Sequence, residues 1–150
     1  MPHSLAKIYL HLVFSTKYRE PLLIDEVRDP LHRYMATVLN NLKCHTHLIN
    51  SLEDHAHILF ELYRTITISA AVEEVKKSSS KWLKTQPGIP STFAWQGGYG
   101  VFSVSASGVD TVYNYIARQQ EHHRKDTFQN ELRTLLKKYK IDYDERYLWD

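Results

Sequence analysis

The succession of strand-like and helix-like segments predicts an α+β fold, a ferredoxin-like βαββαβ sandwich with an antiparallel sheet, followed by two further helices. Three observations carry this expectation. Residues 8–15 (IYLHLVFS) mix β-branched and aromatic side chains as a buried strand does. Two more strand-like stretches, 45–51 and 55–63, are separated only by Leu52-Glu53-Asp54, the spacing of a hairpin. Over 25–42 and again over 67–85, apolar residues recur at intervals of three and four, the period of a helix with one buried face.

Each element has its own local justification. A polar stretch, 16–20, follows the first strand. The first helix carries Val27, Leu31, Tyr34, Met35, Val38, Leu39 and Leu42 on one side. Pro30 lacks an amide proton, so the first turn of that helix is expected to be separate or irregular. The second helix lines up Ile68, Ala71, Val72, Val75 and Trp82, and Pro87-Gly88-Ile89-Pro90 ends it. A loop with Gly97-Gly98 leads to a last strand at 101–105. Residues 109–123 and 128–140 both read as helices. The chain has no internal repeat, low-complexity tract or linker, so residues 1–150 are expected to form one domain.

Composition narrows the function classes. No run approaches the ~18 apolar residues of a membrane span, and residues 1–7 lack the pattern of a signal peptide. Cys44 is the single cysteine, which excludes an internal disulfide and makes a cytoplasmic location the default expectation. A net charge of +2 does not announce a nucleic-acid partner. Its distribution says more. Lys76, Lys77, Lys81 and Lys84 cluster, as do Arg118, Arg124 and Lys125, and Arg133, Lys137, Lys138 and Lys140; such groups either track a phosphate backbone or form solvated helix faces. Ten tyrosines and nine histidines supply candidate nucleophiles, metal ligands and base-stacking groups.

Two constellations carry chemistry. In His55-Ala56-His57 the imidazoles are two apart on a strand, hence on one face and ~7 Å apart at Cα, where they can converge on one divalent ion. Ala56, Ile58 and Phe60 then point to the other side. His45-Thr46-His47 has the same spacing on the partner strand, and spacing alone does not choose between the pairs. The small apolar residue between His55 and His57, and the apolar run behind them, favour that pair. The second constellation is Tyr115 with Gln119, four apart on a predicted helix and so on one face, ~6 Å apart along the axis. A Gln carbonyl oxygen can ligate a metal, and a tyrosine one turn away stands beside whatever the metal activates. Tyr113 is six residues from Gln119 and faces elsewhere.

Together these motifs resemble the single-tyrosine HUH transposases of bacterial insertion sequences, including the relatives associated with repetitive extragenic palindromes. His55-Ala56-His57 matches the family's H-hydrophobe-H motif, and Tyr115 with Gln119 matches its Tyr-x-x-x-Gln helix motif. Residues 9–19 are similar to its first strand and the basic stretch after it, and residues 95–105 resemble its last strand. The resemblance implies metal-dependent cleavage and rejoining of single-stranded DNA through a 5′-phosphotyrosine, with recognition of DNA hairpins. It makes Tyr115 the nucleophile on a C-terminal catalytic helix. His55, His57 and Gln119 become the ligands of a divalent ion, Mg or Mn. It also implies a homodimer, for which the apolar strand positions Ile8, Leu10, Leu12 and Phe14 could help build a shared sheet; no membrane and no nucleotide cofactor are expected. Two other readings stand beside it. One is a retired hairpin-binding module on the same fold; the other is a zinc hydrolase, which leaves Tyr115 and Gln119 without a role.

Overall fold

The computed structural model describes residues 4–121 and 126–149. Its elements begin with β1 (Tyr9–Ser15), α1 (Asp25–Asn41), β2 (Thr46–Ser51), β3 (His55–Glu61), α2 (Ile68–Leu83) and β4 (Gly100–Val104). The elements after it include α3 (Val109–Ala117), α4 (Phe128–Lys138) and the short α5 (Glu145–Leu148). The strands form one sheet in the order β2-β3-β1-β4, with every neighbouring pair antiparallel. This is the expected ferredoxin-like arrangement. No described helix is long and apolar enough to cross a membrane.

Alternation along the strands divides the sheet into two faces with different jobs. Leu10, Leu12 and Phe14 of β1, with Ala56, Ile58 and Phe60 of β3, face α1 and α2. There they meet Val27, Leu31, Met35 and Leu39 from α1 and Val72, Val75 and Leu83 from α2. Complete burial of a Leu or Phe side chain contributes roughly 1.5–3 kcal/mol, so this layer dominates the stability of the sandwich. The intervening residues His11, Val13, His55, His57 and Leu59 face the opposite side, which α3 and α4 cover. Val13 and Phe102 pack with Phe128, Leu132 and Leu136 of α4, while Leu59 and Val104 pack with Ile116 of α3. Both faces of β1 are therefore buried, and its near-continuous apolar run follows from that.

Three expectations change in detail. α1 runs unbroken through Pro30. The predicted helix over 109–123 is instead interrupted at Arg118, which leaves helical geometry (φ −102°, ψ 26°), so that α3 ends at Ala117 and helical residues resume over 119–121; its His122 and His123 end, with Arg124 and Lys125, lies outside the described residues. The sheet-sharing role of β1 is also corrected, since β1 lies between β3 and β4 and presents no edge to a second copy. Leu10, Leu12 and Phe14 are consumed by the chain's own core.

The starts of α2 and α4 are held by side-chain caps. The Thr67 hydroxyl accepts a hydrogen bond from the Ala70 amide at the start of α2, and Thr127 does the same for Asn130 at the start of α4. Each such cap is worth ~1 kcal/mol. Gly88, in the Pro-Gly-Ile-Pro segment after α2, has φ +85°, a conformation that needs glycine.

Candidate active site

The two histidines of β3 reach the same face, as strand alternation requires, and both are completely buried. Each uses its Nδ1 on a neighbour. His55 Nδ1 lies 2.7 Å from the Asp54 carboxylate, and His57 Nδ1 lies 2.8 Å from Nε2 of His11 on β1. Both Nε2 atoms then turn toward the C-terminal elements. His55 Nε2 meets the Gln119 carbonyl oxygen at 3.2 Å, and His57 Nε2 lies 2.9 Å from the Glu131 carboxylate of α4. The Gln119 amide donates to the same Glu131 oxygen at 3.2 Å. Phe128, at the start of α4, stacks on His55 with ring centroids 4.4 Å apart.

Tyr115 stands at the rim of this cluster. Its ring lies 5.9 Å from that of His57 and 6.2 Å from that of His11. Its hydroxyl lies close enough to Gln119 and Glu131 for both to act on its ionisation. Although α3 ends between them, Tyr115 and Gln119 are thus brought together as the four-residue spacing predicted. Tyr113 is 41% exposed and takes no part. Beside Tyr115, between α3 and α4, lies a cavity of about 350 Å³ lined by His11, Val112, Glu131, Leu135 and Tyr139 among others.

Electrostatics follow from burial. Desolvation pushes the Tyr115 phenol well above its ordinary value, and the Glu131 charge adds to the effect while Gln119 opposes it. Burial alone would raise the Glu131 carboxyl, yet the neighbouring His57 imidazole and Tyr115 hydroxyl win and hold it down to about 2. His11 is lowered to about 3 by burial and by its neighbour His57, so it is neutral at ordinary pH. Burial lowers His57 as well, against the pull of Glu131.

The polar bookkeeping in this cluster is incomplete in a way that suits a cation. His57 Nε2 is buried at ion-pair distance from Glu131, but the alignment is not that of a hydrogen bond and it finds no hydrogen-bond partner among the described residues. His55 faces the Asp54 carboxylate on one nitrogen and the Gln119 carbonyl on the other, two acceptors for an imidazole that carries one proton when neutral. The Gln119 orientation is fixed by the hydrogen bond its side-chain amide donates to Glu131. A divalent ion held by these groups would resolve both conflicts, and the donor set of imidazoles, amide oxygen and carboxylate fits one.

The other histidine pair forms a separate group. His45 and His47 sit with Glu61, where His47 Nε2 meets the carboxylate at 2.7 Å and Lys7 pairs with the same side chain at 2.9 Å. A register shift in β2 between Thr46 and Leu48 accompanies it. Lys76, one of the basic cluster, is spent structurally: its ammonium donates to the carbonyls of Gln96 (2.7 Å) and Gly98 (2.8 Å), and burial lowers it to about 8.

Sequence reasoning did not single out Glu131, His11 or Asp54. Glu131 had a readable signal, an acidic residue inside the apolar stripe of Phe128, Leu132 and Leu136. His11 had a weaker one, a polar residue in the middle of a buried strand.

The sequence profile described as "Transposase IS200 like" matches residues 4–119, and that span contains the His pair, Tyr115 and Gln119. The chain belongs to the IS200-like transposase family. Among solved structures it is similar to a candidate transposase from Deinococcus radiodurans R1, with 25% identity and a TM-score of 0.60 over 79% of this chain and 95% of that one. It also resembles a REP-associated tyrosine transposase bound to a REP hairpin, with a TM-score of 0.61 over 82% of this chain and 73% of that one. Identity there is 15%, which speaks for the fold alone. No curated protein sequence matches the chain. Glu131 and all of α4 lie beyond the residues that match the IS200-like family.

Proposed function

We propose that this transposase cleaves and rejoins single-stranded DNA beside a hairpin, through a 5′-phosphotyrosine on Tyr115, with a divalent ion, Mg or Mn, held by His55, His57 and Gln119. The observation that carries the reading is the convergence in one chain of two imidazole Nε2 atoms, the Gln119 carbonyl and the Tyr115 hydroxyl. The hairpin-bound relative supports hairpin DNA as the partner.

A bound divalent ion would withdraw charge from a non-bridging phosphate oxygen and leave phosphorus open to attack. Asp54 and His11 fix the two imidazoles by their Nδ1 sides, which leaves both Nε2 atoms turned toward Gln119 and Glu131, where the ion would be held. The Tyr115 oxygen forms the new bond to phosphorus, the bond to the 3′-oxygen breaks, and the departing strand keeps a 3′-hydroxyl. Ester energy is retained, so a 3′-hydroxyl can reverse the step and join strands without a nucleotide cofactor. The phenol is protonated in the resting protein, and Glu131 orients its hydroxyl. Lines of apolar and aromatic side chains, Phe128 above all, keep water from the imidazoles.

The whole chain acts as one catalytic unit in this reading. The resemblance to the family supports a homodimer, although one copy already supplies both imidazoles, Gln119 and Tyr115. Light scattering at micromolar concentration tests it, and a monomer mass would remove the dimer from the proposal without touching the chemistry. For the chemistry, the protein is incubated with a labelled hairpin oligonucleotide carrying a single-stranded flank and Mn²⁺. A DNA-linked protein band that survives denaturation and is lost with a chelator is expected. Nicking without such a band would mean hydrolysis, and a mobility shift alone would mean a binding module.

A further inference from the structure

The ligand set read from the sequence leaves a buried carboxylate unexplained. Glu131 is only 8% exposed, and among the described residues no lysine or arginine lies within ion-pair distance of it. A buried charge without a full counter-charge is costly. Yet Glu131 is not stranded by a mobile chain end: Phe128, Leu132 and Leu136 anchor α4 on Val13 and Phe102, and Thr127 caps the helix. The packing delivers this carboxylate to the imidazoles on purpose of geometry, one turn after Phe128 stacks on His55.

We propose that Glu131 is a direct ligand of the divalent ion, so that the helix beyond the family-matched span completes a four-donor site with His55, His57 and Gln119. This rests on the metal-site reading above. The donor atoms of His55, His57 and Glu131 all lie within 4.8 Å of one another. Two ligands bound to one ion at ~2.1 Å and at right angles stand about 3 Å apart. The observed separations are 2.9 Å for His57 and Glu131 and 3.2 Å for His55 and Gln119. Non-hydrogen-bonding alignment at 2.9 Å is what two ligands of a common ion show, each aimed at the ion rather than at the other. Two imidazole nitrogens and two oxygens, one of them charged, form a harder set than the imidazoles alone and suit Mn²⁺ or Mg²⁺. The same carboxylate also acts on the Tyr115 hydroxyl, so it would tie the proposed nucleophile to the ion's position.

The test is calorimetric titration of Mn²⁺ into the full-length protein without DNA, with thermal unfolding measured with and without the ion. Four proteins are compared: the native chain, Glu131→Gln, His57→Ala and His47→Ala. Glu131→Gln keeps the size and removes the charge. It is expected to weaken Mn²⁺ binding at least tenfold and to lose most of the Mn²⁺-induced rise in Tm, with a metal-free Tm at or above the native one. His57→Ala should abolish binding and His47→Ala should leave it unchanged. Native or tighter affinity in Glu131→Gln, with binding still lost in His57→Ala, would overturn the ligand role and make Glu131 an occupant that the ion must displace. A native chain that binds no Mn²⁺, or binding that follows His47 instead of His57, would overturn the metal site itself. A metal-free Tm far below native in Glu131→Gln would transfer the comparison to Glu131→Asp. That shorter carboxylate keeps the charge, so an affinity equal to that of a His57→Ala chain overturns the proposal and a partial recovery supports it.

Discussion

At the scale of single residues, the difference between Tyr115 and Tyr113 is one of placement rather than of chemistry. Both are phenols on α3, but each step along a helix turns a side chain ~100°, which sends Tyr113 to solvent and Tyr115 to the imidazoles. Tyr115→Phe removes the oxygen proposed as the nucleophile while keeping the ring packed, so folding and hairpin binding should stay close to native. Covalent DNA attachment should fall below detection, because water is a poorly positioned substitute. Tyr113→Phe should retain attachment within a few fold. Peptide mapping of the trapped adduct checks both, and an adduct on Tyr113 would show that the wrong helix face had been assigned the chemistry.

At the scale of elements, the site depends on how the C-terminal end of α3 is held. The Asn50 side chain of β2 donates to the Ile116 carbonyl at 2.8 Å, in the last turn before Arg118 breaks the helix. That bond sits between Tyr115 and Gln119 in sequence and fixes both against the sheet. Asn50→Ala should lower stability by roughly 1–3 kcal/mol, the cost of leaving a part-buried carbonyl without this partner. It should also reduce strand cleavage about tenfold or more through misplacement, with hairpin binding spared. Denaturant unfolding and a cleavage time course measure the two effects. Native cleavage in a chain that has lost stability would separate α3 anchoring from catalysis.

At the scale of the whole molecule, buried histidines make the fold sensitive to acid. His32 of α1 is hydrogen-bonded to the Ser51 hydroxyl at 2.7 Å. Burial lowers it from its ordinary 6.5 to about 4, with Asp29 opposing the shift and Arg28 and Arg33 reinforcing it. Its folded value lies below its unfolded one, so the unfolded chain binds the extra proton first. The stability held by neutral His32 is complete above about pH 6.5 and is lost as pH falls through about 4. Tm should therefore decline over that window, and His32→Gln should make the decline shallower without erasing it, because His11 is lowered in the same sense. A decline of equal steepness in the variant would assign the acid sensitivity elsewhere.

By itself the sequence determined the layers of this protein and singled out most of the groups that meet in its candidate site. Alternation in residues 9–15 and 55–61 put apolar side chains on one face and His55 and His57 on the other, and the three-and-four spacing of α1 and α2 supplied the layer that covers the apolar face. Strand and helix periods are local, so a short window of residues contains them. The four-residue step from Tyr115 to Gln119 was legible for the same reason, even though α3 ends at Ala117. Tertiary structure alone decided the rest. It made β1 an interior strand, removing the sheet edge that its apolar run had suggested for a second copy. It brought His11 against His57 across 46 residues and carried Glu131 from α4 to the imidazoles of β3. Such contacts depend on how the sheet orders its strands and where α4 docks, and no period within a single segment encodes a meeting between distant ones.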